Sequence, residues 1–478
     1  MSSHSRELFV DRRHFLYGSA GALGRIALTQ LLAADAARAA SPETSASRTG
    51  RHHRATAQSV ICLFQHGGPS QVDLFDPKPV LTRHHGRPYP GDVEAHFHTQ
   101  KGNCLASPFR FVPSGESGIE LCEHLPHTAS IADDMTLIRS MVTDSVDHES
   151  ALRLIHGGKF IAGWPTWGSW VVYALGSENR NLPSYVVLVD PAGLPVDGTR
   201  NWSSGWLPAV YQGTPIRIGN RPIPHLLTPG DVTPAARRRQ LQLLQQLNRA
   251  QKQRYPHQSE LAARIANFET AARMQATVPE ILDLSRETAA THRLYGLDHP
   301  ATKEYGARCL AARRLVEHGV RFVQLFLAGQ PWDTHSKNAE RIQGLCARTD
   351  QPAAALVKDL KQRGLLDSTI VMWTGEFGRL PISQGSTNGR DHNRHAFSLW
   401  LAGGGFKAGY VHGRTDDFGY RSVEDPVDVH RLHATLLHTL GLDHRRVTYP
   451  HDGRLASLSD ADVTHADVLH KVLDTVRG

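Results

Sequence analysis

Six short, mostly apolar runs constrain the fold of this chain more than any other feature: residues 59–64, 135–141, 184–190, 321–327, 368–373 and 396–402. Continuous runs of this length read as strands buried on both faces. Helical periodicity lies between several of them, most clearly over 164–175 and 350–363, and a last helix is expected over 428–440. Strands alternating with helices predict βαβ units, and so an α/β fold around a mostly parallel sheet. Residues 233–318 are mostly helical by periodicity, with Leu241, Leu244 and Leu247 on one face. They read as a helical insertion in which Pro279 and Pro300 mark breaks.

Polar residues gather where the runs end. The run at 321–327 turns at Gly329 into Trp332, Asp333, Thr334 and His335, and the run at 368–373 releases into Glu376, Phe377, Gly378 and Arg379. Asp391, His392 and His395 lead into the run at 396–402. Strand ends are where an open α/β sheet places its chemistry. Carboxylates and neutral imidazoles are ligands for Zn²⁺ and similar ions at about 2.0–2.2 Å. A single Asp or His beside a turn is ordinarily a cap or turn former. Asp333, His335, Glu376, His392 and His395 converging from neighbouring strand ends are instead read together as ligands of a divalent metal, Zn²⁺ first, with Ca²⁺ or Mg²⁺ as alternatives. Asp73 and His148 also follow strands and join the candidate set, whereas Asp76 reads as a structural turn residue. Such a metal could polarise an ester or orient a phosphoryl or sulfuryl group, with Arg379 or Arg390 binding the anion through its planar fork.

Other chemistries lack their motifs. His66-Gly67-Gly68 is similar to an esterase oxyanion loop, but no G-x-S-x-G elbow accompanies it. Neither a Walker A sequence nor a G-x-G-x-x-G after a strand is present, which argues against nucleotide cofactors. The formal charge of +7 is mild and spread along the chain, and Arg237 to Arg239 have no aromatics interleaved, so nucleic acid is not an expected partner. The 29 histidines exceed what one site uses. Five scattered cysteines show no CxxC spacing. Cys104 and Cys122 flank a loop-rich segment and could pair in an oxidising compartment.

The N-terminus reads as a targeting segment. Arg12 and Arg13 precede Phe15 and Leu16, a weakly apolar stretch follows, and Ala37-Arg38-Ala39 offers a cleavage site. This is similar to a twin-arginine signal, which exports folded proteins. The expected organisation is a signal peptide at 1–39, a linker at 40–57, one α/β domain at 58–460 and a C-terminal tail at 461–478. No later run reaches the roughly 20 apolar residues of a membrane span. The mature protein is expected in the periplasm or outside the cell.

Several motifs together resemble a family. They are the segment from His66 to Lys78, Gly205 to Gly213, Trp332 to His335, Glu376 to Arg379, Gly389 to His392 and Gly403 to Gly409. They resemble an exported bacterial family, domain of unknown function 1501, which is placed by fold with the alkaline phosphatase and sulfatase superfamily. The resemblance implies a three-layer sandwich of the alkaline phosphatase kind. It sets Glu376 and Phe377 where that superfamily has a metal-binding Asp and His, and it leaves Ser70 as the nearest nucleophile candidate. The expected function is a metal-dependent hydrolase or transferase acting on phosphate or sulfate esters, such as a sulfated or phosphorylated glycan. The alternative is a non-catalytic exported protein that binds an anionic glycan or an envelope partner in the same cleft.

Overall fold

The computed structural model describes residues 50–97, 100–179, 181–218, 233–255 and 258–474. The expected signal peptide and the linker up to residue 49 lie outside these. One eight-stranded sheet organises the described chain. Its strands are β1 (Ser59–Phe64), β2 (Met135–Met141), β3 (Tyr185–Leu188), β4 (Thr214–Ile216), β5 (Phe322–Phe326), β6 (Thr369–Thr374), β7 (Phe397–Ala402) and β8 (Tyr410–His412). They lie side by side in the order β8-β2-β7-β6-β1-β5-β3-β4. β7 alone runs antiparallel to its neighbours β2 and β6; the remaining pairs are parallel. The six apolar runs are therefore six strands of this sheet. The short strands β4 and β8 extend it at the two edges.

β1 sits centrally, with Val60 opposite Phe322 of β5 and Ile370 of β6. Its side chains alternate between two cores because successive residues of a strand face opposite ways. Val60, Cys62 and Phe64 join the layer of α1 (His148–Gly157), α2 (Trp167–Leu175) and α7 (Val429–Thr439). Ile61 and Leu63 join the layer of α5 (Lys303–Glu317) and α6 (Asn338–Gln362). The architecture is a three-layer α/β/α sandwich with a mostly parallel sheet.

Local sequence fixes where the helices start and stop. Asp147 caps α1 by accepting from Ser150 N at 3.0 Å, and Gly158 closes it in the left-handed region at φ 70°. Asp428 caps α7 in the same way through Arg431 N at 2.9 Å. α6 starts twelve residues before the expected Asp350 and runs through Pro352. Ile342, Leu345, Cys346 and Thr349 continue its buried face N-terminal to that proline.

In the insertion, α3 (Pro234–Arg254) has no buried residue among those described, while α4 (Ser259–Ile281) docks through Met274, Val278 and Ile281. Pro279 lies inside the last turn of α4 rather than at a break. Ala57, at the end of the expected linker, is fully buried, and Thr56 Oγ1 donates to Gly404 O at 2.7 Å. The expected tail packs on the body through Ala461, Leu469, Val472 and Leu473. All five cysteines are buried and unpaired, so Cys104 and Cys122 form no disulfide. Among the described residues no helix is long and apolar enough to cross a membrane.

Candidate functional site

Because β7 is reversed, the segment before it lies at the same edge of the sheet as the segments after β1, β2, β5 and β6. Close backbone contacts lock these segments together. Trp332 N donates to His66 O at 3.0 Å, and a Cβ on Gly67, which sits at φ +110°, would lie 2.4 Å from Asp333 N. Only glycine fits such an approach in that conformation. Gly389 is just as confined, since a Cβ there would lie 2.0 Å from the backbone of His335.

Asp333 is the centre of the arrangement. His335 Nε2 lies 2.9 Å from its Oδ1, His392 Nε2 3.2 Å, and His148 Nε2 3.4 Å without meeting hydrogen-bond geometry. The two nitrogens His335 Nε2 and His392 Nε2 are 3.0 Å apart. Each ring has its other nitrogen held from behind. His148 Nδ1 is 2.8 Å from Glu376 Oε1, His392 Nδ1 is 2.6 Å from Val146 O, and His335 Nδ1 meets Gln384 Oε1. An acceptor on Nδ1 fixes the proton there and leaves the Nε2 lone pair for a cation. Two groups of three could hold an ion: His148, Asp333 and His392, and His335, Asp391 and His392, the ligand atoms in each lying within 4.8 Å of one another; imidazole nitrogen and carboxylate oxygen suit an ion like Zn²⁺. Phe377 lies beneath, its ring 4.9 Å from that of His148 and 4.5 Å from that of His392.

The charges follow from this packing. Burial disfavours a charged His148, but the Asp333 and Glu376 carboxylates outweigh it and hold the imidazolium up to about 9. Burial dominates at His392 and pushes it down to about 3, with Arg379 and His148 adding to the shift and Asp333 opposing it. Burial also opposes ionisation of Asp333, yet the three neighbouring imidazoles and the Arg379 guanidinium hold its carboxyl well below the usual range.

The remaining expected residues are placed as follows. Glu376 is fully buried and stands behind His148, its Oε1 also accepting from Gly67 N at 2.8 Å. Arg379 is fully buried; it donates to Gly68 O, Gly67 O and Arg390 O and pairs with Asp333. Ser70, Asp73 and Arg390 make a separate buried knot. Asp73 receives Arg390 Nε at 2.7 Å and Nη2 at 2.8 Å, Ser70 Oγ at 2.6 Å and Asn338 Nδ2 at 2.8 Å. Neither arginine presents its fork to an incoming anion, because burial has already committed both. The knot supports the loop of Asp333 and His335 instead: Asn338 Oδ1 accepts from Thr334 Oγ1, and Arg390 N donates to Thr334 O. His395 does not join the other histidines; its Nε2 is 2.8 Å from Glu94 Oε2. Three segments alongside the site carried no sequence signal of their role: Val146, Gln384, and Glu94 to Phe97. The last of these lies in a Pro-, Gly- and His-rich stretch that reads only as surface excursion.

Fold and site together define an α/β sandwich with a candidate metal centre at the edge shared by four strand ends. The chain belongs to the family described as "Protein of unknown function (DUF1501)", whose model matches residues 57–473. No curated protein matches it. Among solved structures it is similar to a sulfatase from Pseudoalteromonas sp. (11% identity, 81% of this chain and 68% of that one, TM-score 0.34). It is also similar to a phosphonate monoester hydrolase from Silicibacter pomeroyi (11%, 86% and 78%, TM-score 0.31) and to alkaline phosphatase from the Antarctic bacterium TAB5 (10%, 80% and 98%, TM-score 0.28).

Proposed function

We propose that this chain is an exported, metal-dependent hydrolase of phosphate or sulfate esters, with Zn²⁺ the first candidate ion. One observation carries the reading: His148, His335 and His392 each have Nδ1 tied to an outer acceptor and Nε2 turned toward Asp333. That is the arrangement in which protein side chains hold and tune a metal. A bound divalent ion would supply Lewis acidity toward the ester oxygen and lower the pKa of a bound water toward about 7. Asp333 and the three imidazoles would hold it, and Arg379 keeps Asp333 ionised. Glu376 orients His148, and Phe377 keeps water from the inner face. His335 has the most exposed side chain of the four at 27% and marks the side open to substrate. Ser70 commits its hydroxyl to Asp73, so the reading does not depend on a serine ester. Export by the twin-arginine route rests on Arg12, Arg13 and Ala37 to Ala39.

One feature favours a second reading. Four protein ligands can close a tetrahedral site, which is usual for structural zinc. The cleft would then belong to a non-catalytic protein binding an anionic glycan or envelope partner. The test is elemental analysis of the purified mature protein, followed by turnover of 4-nitrophenyl phosphate and 4-nitrophenyl sulfate. Bound metal with turnover is expected. Stoichiometric metal without turnover establishes the structural role, and no metal with no turnover overturns both. His335→Ala should abolish stoichiometric binding; retention would show that the ligand set is wrong.

A further inference from the structure

The residues beside the three imidazoles indicate what shape of substrate they would meet. Phe97 is 40% exposed, and its ring lies edge-on to His335 at 5.6 Å. His96 stacks on His392, with centroids 5.2 Å apart and planes 25° apart. Two aromatic rings thus continue the wall made by two of the candidate ligands. They are built in rather than loosely draped. Val93 and Ala95 are buried in a small cluster with Leu380, Ile382 and Tyr420. Glu94 pairs with Arg394 and His395 at 2.9 and 2.8 Å, and Glu94 N donates to the Tyr420 hydroxyl at 2.8 Å. Phe97 N donates to Asp391 Oδ2 at 2.9 Å, and Asp391 Oδ1 accepts from His392 N at 2.8 Å. The backbone that presents Phe97 is therefore tied to the backbone that presents His392.

Phe97, whose ring also meets that of His96 at 4.7 Å, keeps an exposed apolar surface on a firmly held backbone, and covering that surface with a flat ring is favourable. We infer that Phe97, with His96 beside it, is the platform for a ring carried by the substrate. The ester cleaved at the candidate metal centre would then be borne on a sugar or aryl ring rather than on an open chain. This inference rests on the metal-site reading for the position of the ester, but ring binding is measurable without turnover.

Isothermal titration of the purified protein with non-hydrolysable sulfonates separates the two claims. 4-Nitrobenzenesulfonate is expected to bind roughly ten-fold more tightly than methanesulfonate. Phe97→Ala should erase that preference and Phe97→Tyr should keep it, with metal content unchanged in both variants. Galactose 6-sulfate in a parallel titration distinguishes a sugar platform from an aryl one by whether its affinity falls with Phe97→Ala. Equal preference in the wild type and Phe97→Ala, or no binding of either ring-bearing ligand, overturns the inference. Ring preference without turnover of any ester would leave the platform standing and remove the hydrolase.

Discussion

Asp73 and Asp333 put the same carboxylate to opposite uses. Asp73 is fully buried and saturated by Arg390, Ser70 and Asn338. Asp333 keeps a partly open face toward three imidazoles. Asp73→Ala leaves the Arg390 guanidinium buried without its counter-charge, so it should cost about 3–5 kcal/mol of unfolding free energy measured by denaturant titration. Replacing both partners with apolar residues should cost much less. Glu376→Gln keeps the shape but loses the charge behind His148, and metal affinity measured by chelator competition should fall about 10–100-fold. Asp333, His335 and His392 could be proposed from sequence because each stands at the end of an apolar run. Which way a side chain turns is a tertiary fact. Nothing in Glu376-Phe377-Gly378 says that the carboxylate stands behind His148, and nothing in Asp391-His392-Asn393-Arg394-His395 says which histidine turns to Asp333 and which to Glu94.

The strands could be read because burial on both faces demands largely apolar runs. The helix α6 was only half legible, since Pro352 interrupts it without ending it. Its sheet-facing side chains run on either side of the proline, and packing outweighs the lost hydrogen bond. A tie to another element is also set within α6. The Asp350 carboxylate accepts from His127 N, Thr128 N and Thr128 Oγ1 at 2.8, 2.8 and 2.6 Å, anchoring the helix to the turn at Pro126–Ala129. Asp350→Ala strands these buried donors and should lower unfolding free energy by about 2 kcal/mol, whereas Asp350→Asn should recover part of it. The reversal of β7 could not be read locally, because an apolar run carries no direction. Yet that reversal brings His392 to the same edge as Asp333.

Across the whole molecule, buried imidazoles set the response to pH. Burial drives His156 and His433 down to about 3, with a neighbouring histidine adding to each shift. The unfolded chain takes up these protons near pH 6.5 while the folded one resists, so stability should fall as pH drops below about 6.5. His148 works in the other sense in the metal-free protein. Its folded pKa is raised to about 9, so its contribution is full below about 6.5 and is lost as pH rises through about 9. Thermal unfolding of chelator-treated protein from pH 4 to 10 should show both limbs, and added metal should remove the alkaline one by taking the proton's place. The reversed strand has a further consequence, in time rather than in space. The nitrogens and the carboxylate come from three stretches, His148, Asp333 with His335, and His392, and His392 is brought to the others by the insertion of β7 between β2 and β6. A nascent chain offers only the Asp333–His335 pair, so on the metal-site reading full capture should wait for completion of the sheet, and the delay between fluorescence recovery and metal uptake during refolding would time the insertion of that strand.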